Sequence, residues 1–539
     1  MLGPEWLGSA VSAIPLAGPQ EDAARSLVAI GLDGSRAGTE LAALHVSQPA
    51  RGAAASKPAS ALVAASPHID AALSSLSDAA GRVSGLKEGG LLPPLAEAVR
   101  SVKTALRDEA PFLGRARALV SLERYLRSSE HRVLLVSQDS AELMPTGGFA
   151  GSYGILDIGP AGVRLEAYKD VYTIPDPPGR VPPPPGVVMT TDFRFRDANW
   201  WIDFPTSART MLRFWRTSGE PPVEGIVAID VVTVRDLLAV FGPVRVPSYS
   251  ETFTSQNLLD RLLYLVEVKG SASGNRKGVL TALAGVLEQR VLNAGPEALS
   301  RSALALARSA DAKHVQLYFP DAKAQTAVTA LGWSGALASP AGTTDLLAVS
   351  NAMYLGGKVN GAMRKTSDYR VALQPDGSAD TTLVLDYSNT APFALARSQF
   401  SIFGDYLRVY RAAGTLISKD VAHPARSRTL DLGLPAAVRT FTVRRGQTHR
   451  VTVVSRVPGA WSSRPAAPHY RLFIVRQADL QDVPTTITVT PPKGWRISGA
   501  SAWLAASKEP LRTSLGEGQA ELALPLSGDM VFDVRLARR

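Results

Sequence analysis

The sequence predicts an α+β multidomain protein: an N-terminal helical bundle, a central mixed α/β domain and a C-terminal antiparallel, sandwich-like β region. Three observations carry this. Apolar residues recur at three- and four-residue steps up to about residue 128, short apolar strands then alternate with helical segments to about 345, and alternating apolar-polar stretches bounded by Pro, Gly, Asp and Ser follow. The expected domains are 1–128, 129–364 and 365–539. A chain of 539 residues has room for roughly three cores, because single cores rarely grow beyond about 250–300 residues.

In the first region the helical stripe runs through Ile69, Leu73, Leu76, Ala80, Val83 and Leu86, then Leu95, Val99, Val102 and Leu106, then Leu119, Leu122 and Leu126. No His, Asp or Glu pairs cluster on its polar side, so packing or spacing is the role expected there. Residues 48–60 read as an exposed connector.

The central region places strands at Val133–Val136, Gly154–Ile158, Gly225–Ile229 and Val315–Phe319. Helices are expected at Thr206–Thr217, Val232–Phe241, Leu258–Val268, Lys277–Leu292 and Glu297–Arg308. The proline-rich stretch Pro175–Pro185 can be neither helix nor central strand and is expected as a long surface loop. In the last region strands are expected at Tyr369–Leu373, Thr381–Tyr387, Leu407–Tyr410, Arg439–Val443, Arg450–Val454, Tyr470–Val475, Thr485–Val489 and Val531–Leu536. Such modules bind, space or assemble, and self-assembly or a protein partner is expected of this one.

Composition narrows the function classes. With 45% hydrophobic and 20% charged residues, the chain has the make-up of a globular protein. It has no cysteine, which excludes disulfides, thiolate metal sites and cysteine nucleophiles. The net charge of +10 permits attraction to anionic lipid, acidic polymer or nucleic acid, but arginine outnumbers lysine and alanine is plentiful, so a GC-rich genome is the favoured explanation for part of it. The charge is dispersed, with only short pairs such as Arg444-Arg445, so no nucleic-acid groove is expected. No run reaches the roughly 18 apolar residues of a membrane span. The opening Met1–Pro19 is broken by prolines and lacks the charged start of a signal peptide, so the expectation is either a cytoplasmic protein or one whose anchor precedes this sequence. The seven histidines show no metal-ligand spacing, and hydrolase, phosphate-loop, zincin and dinucleotide motifs are missing.

Three stretches carry the candidate chemistry. After the strand at Val133, Gly147, Gly148 and Gly151 let backbone N–H groups approach a ligand, as an anion cradle requires; a tight connection between two core strands is the alternative. In Thr191–Pro205, Arg194 and Arg196 can point two guanidinium groups at a pyrophosphate, with Asp197 and Asn199 beside them. A structural Arg–Asp network capped by Trp200 and Trp201 explains the same residues. In Gly270–Gly278, Arg276 and Lys277 stand at a helix start, where a phosphate or carboxylate partner makes sense of their charge.

The order Met144–Gly154, Phe195–Ala208 and Val223–Val246, followed by His314–Trp333 and Ser350–Asn360, resembles the bacterial DUF4012 family over about 130–390. That resemblance implies an extracytoplasmic, cell-envelope protein held to the membrane by an N-terminal helix preceding this sequence. More remotely, the middle domain resembles the LytR-CpsA-Psr family, which uses Mg²⁺ to move a glycopolymer from a polyprenyl-pyrophosphate carrier to the cell wall. Arg194 and Arg196 then fall where that family has its basic segment and Arg276 near its later arginine, with Asp197 beside them; Asp139 and Glu142 are the metal candidates. Gly147, Gly148, Gly151, Asn199 and Lys277 complete the expected ligand-binding set. The family's Arg-x-Asp-Thr motif is replaced here by Gly147-Gly148-Phe149. Two functions follow as expectations: a glycopolymer phosphotransferase acting on a lipid-linked glycan, or a non-catalytic envelope scaffold with a β-rich partner module.

Overall fold

The computed structural model describes residues 18–46, 58–269, 277–391, 402–418, 429–462, 468–516 and 518–539. The chain divides into two compact units. One takes in the described part of Met1–Glu130 with Gly159–Gly162 and Thr326–Leu331, and the other the rest.

The described part of Met1–Glu130 forms the helices α1 (Gly18–Val46), α2 (Pro58–Ser84) and α3 (Pro93–Ser128). The expected stripe is the buried one at Leu73, Val83, Val99 and Leu122. Ile30 and Ala79 close a small core with Val83, against which Leu86 and Val102 pack. Leu119, also expected on the stripe, is instead 46% exposed. Most of the expected connector at 48–60, and the side chain of Leu106, lie outside the described residues. No described helix is long and apolar enough to cross a membrane.

The second unit opens with a five-stranded sheet: β1 (His131–Asp139), β2 (Phe149–Gly159), β3 (Gly162–Asp170), β4 (Gly225–Asp230) and β7 (Val315–Tyr318), in the order β3-β2-β1-β4-β7. β1 and β4 run parallel, Val133 opposite Gly225 through to Gln138 opposite Asp230, while β2 and β7 flank them antiparallel. The buried Leu134, Val136, Ile226 and Ala228 pack on α4 (Phe204–Thr217) through Ala208, Met211, Leu212 and Trp215. Asp203 caps α4 by accepting from Thr206 N at 3.0 Å, and Pro205 suits its first turn. α5 (Val231–Phe241) springs directly from β4. A ribbon of β5 (Val244–Val246) and β6 (Glu251–Phe253), α6 (Leu258–Leu263), α7 (Gly278–Leu292) and α8 (Pro296–Asp311) follow. The helix expected over Leu258–Val268 is α-helical only to Leu263 and widens into a π turn over Tyr264–Lys269.

Two larger sheets make up the carboxyl half. Among the described residues, seven strands run in the order β12 (Leu416–Ile417)-β15-β10-β9-β17-β21 (Gln519–Leu526)-β20 (Ser514–Gly516), and eight in the order β13 (Thr429–Asp431)-β14-β11-β8-β16-β22-β18 (Trp495–Leu504)-β19 (Pro510–Leu511). All eight expected strands are present, within β9 (Met363–Leu373), β10 (Ala379–Asn389), β11 (Ile402–Arg411), β14 (Leu434–Arg444), β15 (Thr448–Val457), β16 (His469–Val475), β17 (Val483–Thr490) and β22 (Met530–Arg538). Residues of both sheets share one apolar core, including Tyr369, Leu383, Phe403, Leu407, Leu472, Ile487 and Phe532. Not every pairing is antiparallel: β17 runs parallel to β9, and β16 parallel to β8 (Asp345–Ser350). β8 lies in the middle of the eight-stranded sheet although it precedes residue 365, where the carboxyl-terminal region was expected to begin.

Asp405 on β11 is buried, accepting from Asn351 Nδ2 at 2.6 Å and from the Ala352 N–H at 2.9 Å. Burial pushes its carboxyl up to about 7, opposed by the Asn351 bond, Lys365, the Ala352 N–H and Arg408, all of which favour the carboxylate. The folded chain thus binds this proton more tightly than the unfolded one. The contribution is full below about pH 4 and is lost as pH rises to about 7, an effect on the order of 4 kcal/mol. Urea midpoints of Asp405→Asn are expected to fall less steeply across that window than those of the native chain. Parallel profiles would assign the pH dependence to other groups.

Candidate functional site at the carboxyl end of the parallel strands

In open α/β sheets, ligands enter the crevice beyond the carboxyl ends of parallel strands. Here β1 and β4 end at Asp139 and Asp230, and the Ser140–Gly148 loop lies over that edge. The loop is largely buried. Its carbonyls are taken by donors from the chain itself: Ser140 by Asn360 Nδ2 (2.8 Å), Leu143 by the Met353 N–H (2.9 Å), Met144 by Gln477 Nε2 (3.0 Å) and Thr146 by Gln316 Nε2 (2.6 Å). Asn360, Met353 and Gln477 come from the region after β8, so this loop is a joint between the α/β sheet and the β-rich half.

The glycines serve that joint. Gly147 has φ +126°, and a side chain there would meet Ala478 Cβ at 3.1 Å. A Cβ on Gly148 would stand 2.5 Å from the backbone carbonyl of Asp139 and 2.6 Å from Ser140 N, with no flexible group to yield. The close approach made possible by Gly147 and Gly148 is to the chain's own backbone, as in the tight-connection alternative. Asn199, fully buried, donates to the Gly148 carbonyl, and its Oδ1 has no hydrogen-bond partner among the described residues.

The arginine pair divides between two roles. Arg194 is 9% exposed; it donates to the carbonyls of Pro177 (3.1 Å) and Gly179 (3.2 Å) and to the Asp192 carboxylate, pinning the proline-rich loop. Asp197 accepts from the Arg194 N–H at 2.9 Å, and its own burial raises its carboxyl. Arg196 is more open. It lies 3.8 Å from Asp176 and 5.1 Å from the centre of the Tyr172 ring. Lys277 approaches that ring at 5.4 Å, pairs with Asp170 at 2.8 Å and donates to the Gly151 carbonyl. Tyr172 is 63% exposed. Partial burial raises its phenol, Arg196 opposing and the carboxylates of Glu142, Asp170 and Asp197 adding. Arg196, Lys277, Gly151, Glu142 and Asp197 are thereby gathered around one exposed ring, whereas Arg194, Gly147, Gly148 and Asn199 are internal. Arg276 lies outside the described residues.

Asp139 and Glu142, the metal candidates, face an ammonium. Lys358 pairs with Asp139 and stands 3.9 Å from Glu142. A magnesium ion asks for near-octahedral oxygen coordination, so this donor set does not fit it while Lys358 is in place. Among the described residues no group of three His, Cys, Asp or Glu side chains converges on a metal position.

A further buried polar cluster carries no sequence signal. Asp230 accepts from Val232 N at 2.9 Å, capping α5, and its other oxygen lies 2.6 Å from His314 Nδ1. His314 Nε2 is 3.1 Å from Arg476 Nη2. An arginine can only donate, so Nε2 accepts and Nδ1 carries the proton to Asp230. Arg476, 2% exposed, also donates to the Leu526 carbonyl (2.9 Å), the Ala312 carbonyl and Asp482 (2.9 Å). An Asp–His pair of this kind orients a general base in hydrolases, but its reactive nitrogen is covered here by a guanidinium from the β-rich half. The arrangement holds two sheets together.

Residues 129–266 match the family model described as "Protein of unknown function (DUF4012)". No curated protein matches the chain. Solved structures with local similarity include a two-domain M1 zinc metallopeptidase mutant bound to L-tryptophan, at 11% identity, 32% of this chain, 43% of that chain and a TM-score of 0.17. Another is the M1 zinc metallopeptidase from Deinococcus radiodurans, at 11% identity, 32% of this chain, 42% of that chain and a TM-score of 0.16. The chain therefore spans less than half the length of those enzymes, and likeness at this level carries neither fold nor activity across.

Proposed function

From the premise that residues 129–266 place the chain in the DUF4012 family, we propose that it is a non-catalytic binding scaffold of the bacterial cell envelope, with the β-rich half as its partner module. That half is read as a β-sandwich, its two sheets closing on the shared core. The observation that carries the scaffold reading is the filled crevice: where an α/β enzyme admits its ligand, Arg476, Gln477 and Ala478 of the β-rich half are packed against Asp230, His314 and the glycine loop. Arg194, the expected pyrophosphate ligand, spends its donors on the loop from Asp176 to Asp192. The envelope location rests on the motif resemblance to this family.

A second reading, a phosphotransferase of LytR-CpsA-Psr type acting on a lipid-linked glycan with Mg²⁺, is favoured by one feature. Arg196 and Lys277 both flank the exposed Tyr172 ring and so present two cations near Gly151. The test is retention of polyprenyl pyrophosphate from detergent micelles, read by native mass spectrometry with and without Mg²⁺. The scaffold reading expects no retention above that of an unrelated basic protein. Specific retention that Arg196→Ala or Lys277→Ala abolishes, with unchanged unfolding temperature, would replace it by the second.

A further inference from the structure

A cleft of about 280 Å³ opens beside the filled crevice. α5 begins at Val231, directly after the last residue of β4, so the cleft's wall of Val231 and Val232 stands at the carboxyl end of the parallel pair. The opposite wall is Leu258 and Leu259 of α6 with Leu480 and Gln481 of the β16–β17 connection. Gly361 also lines the cleft, and a Cβ there would make ordinary contacts with Leu480 Cδ1 at 3.5 Å and Leu259 Cδ2 at 3.6 Å, so only a larger side chain would fill the space.

The lining sorts by chemistry. Its floor is aliphatic, from Val232, Leu259 and Leu480, without an aromatic ring on which a sugar face would stack. Its charged groups are one cation, Arg235, and one carboxylate, Asp260, with the uncharged polar side chains of Ser255, Gln256 and Gln481 beside them. Arg235 is engaged through Nε and Nη2 by its neighbour Asp236, at 3.4 and 3.3 Å, and its side chain is 47% exposed. Asp260 is exposed. A site of one positive group, one negative group and a branched aliphatic floor is complementary to a small zwitterion. The volume lies below the range of cofactor sites and suits a molecule the size of an amino acid.

We propose that this cleft binds a free aliphatic α-amino acid of the leucine class. The carboxylate sits on Arg235, the ammonium on Asp260, and the side chain between Val232, Leu259 and Leu480. This goes beyond the scaffold reading and does not depend on it, since the cleft is separate from the Tyr172 cluster.

Saturation-transfer NMR on the whole chain tests it, with leucine, isocaproate (no ammonium), isoamylamine (no carboxylate) and N-acetyl-leucinamide (neither charge) as probes at millimolar concentration. Leucine is expected to bind best. Arg235→Ala should weaken leucine and isocaproate at least about tenfold, and Asp260→Asn should weaken leucine and isoamylamine while sparing isocaproate. Gly361→Phe should block all four with an unchanged far-ultraviolet circular dichroism spectrum. Signal from none of the probes, equal binding of the uncharged amide, or leucine binding that survives Gly361→Phe would each overturn the proposal.

Discussion

Asp345→Ala is expected to destabilise the β-rich half by about 3–5 kcal/mol, the range for leaving a buried charge without its partner. Asp345 is fully buried at the start of β8, accepting from the hydroxyls of Tyr369 and Tyr470, each at 2.7 Å, and from Arg411 Nη2 at 3.0 Å. Those partners come from β9, β16 and β11, so one carboxylate ties a strand of the seven-stranded sheet to three of the eight-stranded one. Arg411 is 1% exposed and has no other acid among its described ion pairs. Its charge would keep only the Tyr369 hydroxyl oxygen as acceptor, and the hydroxyls of Tyr369 and Tyr470 would lose the carboxylate they donate to. Urea unfolding followed by tryptophan fluorescence reads the effect as a lower midpoint at an unchanged slope. The double variant Asp345→Leu/Arg411→Met should recover much of the loss, because it removes both charges together. A single-variant loss below about 1 kcal/mol would mean that water reaches the network.

How far this architecture was legible in the sequence depends on where each signal lay. Strands such as Val133–Val136 and Gly225–Ile229 are buried on one face and at least half-buried on the other, and therefore appear as uninterrupted apolar runs. β3, by contrast, has the polar sequence GVRLEAYKD, which carries no clear strand signal. It is an edge strand, and the Glu288 carboxylate on Leu165 N at 2.8 Å and the Thr281 hydroxyl on the Tyr168 carbonyl satisfy part of its free edge. β8 is apolar enough to be a strand, yet its place in the carboxyl-terminal sheet depends on β11 and β16, 52 and more residues downstream. At the site, the pattern around Arg194 contained both of its readings, since Asp192 and Asp197 lie within three residues of it. Asp230, His314 and Arg476 are separated by 84 and 162 residues, so no spacing rule could gather them.

Arg476→Ala is the variant that tests whether the crevice is a joint. It removes the donor facing His314 Nε2 and leaves the carbonyls of Ala312 and Leu526 without that guanidinium, while the Arg476 backbone bond to Asp529 at 2.7 Å can persist. The expected loss is again about 3–5 kcal/mol, since an interior salt-bridged hydrogen-bond network is broken from one side. Arg476→Lys should restore little of it, because a single ammonium cannot reach Leu526, Ala312, His314 and Asp482 in the geometry of a planar fork. Location distinguishes a joint from a general weakening. Amide exchange should accelerate first in the Ser140–Gly148 loop and around His314, with the inner strands β9 and β10 protected until global unfolding. If exchange instead rose uniformly through both large sheets, Arg476 would be a core residue of the β-rich half alone. The covered Asp–His pair would then have to be explained without it.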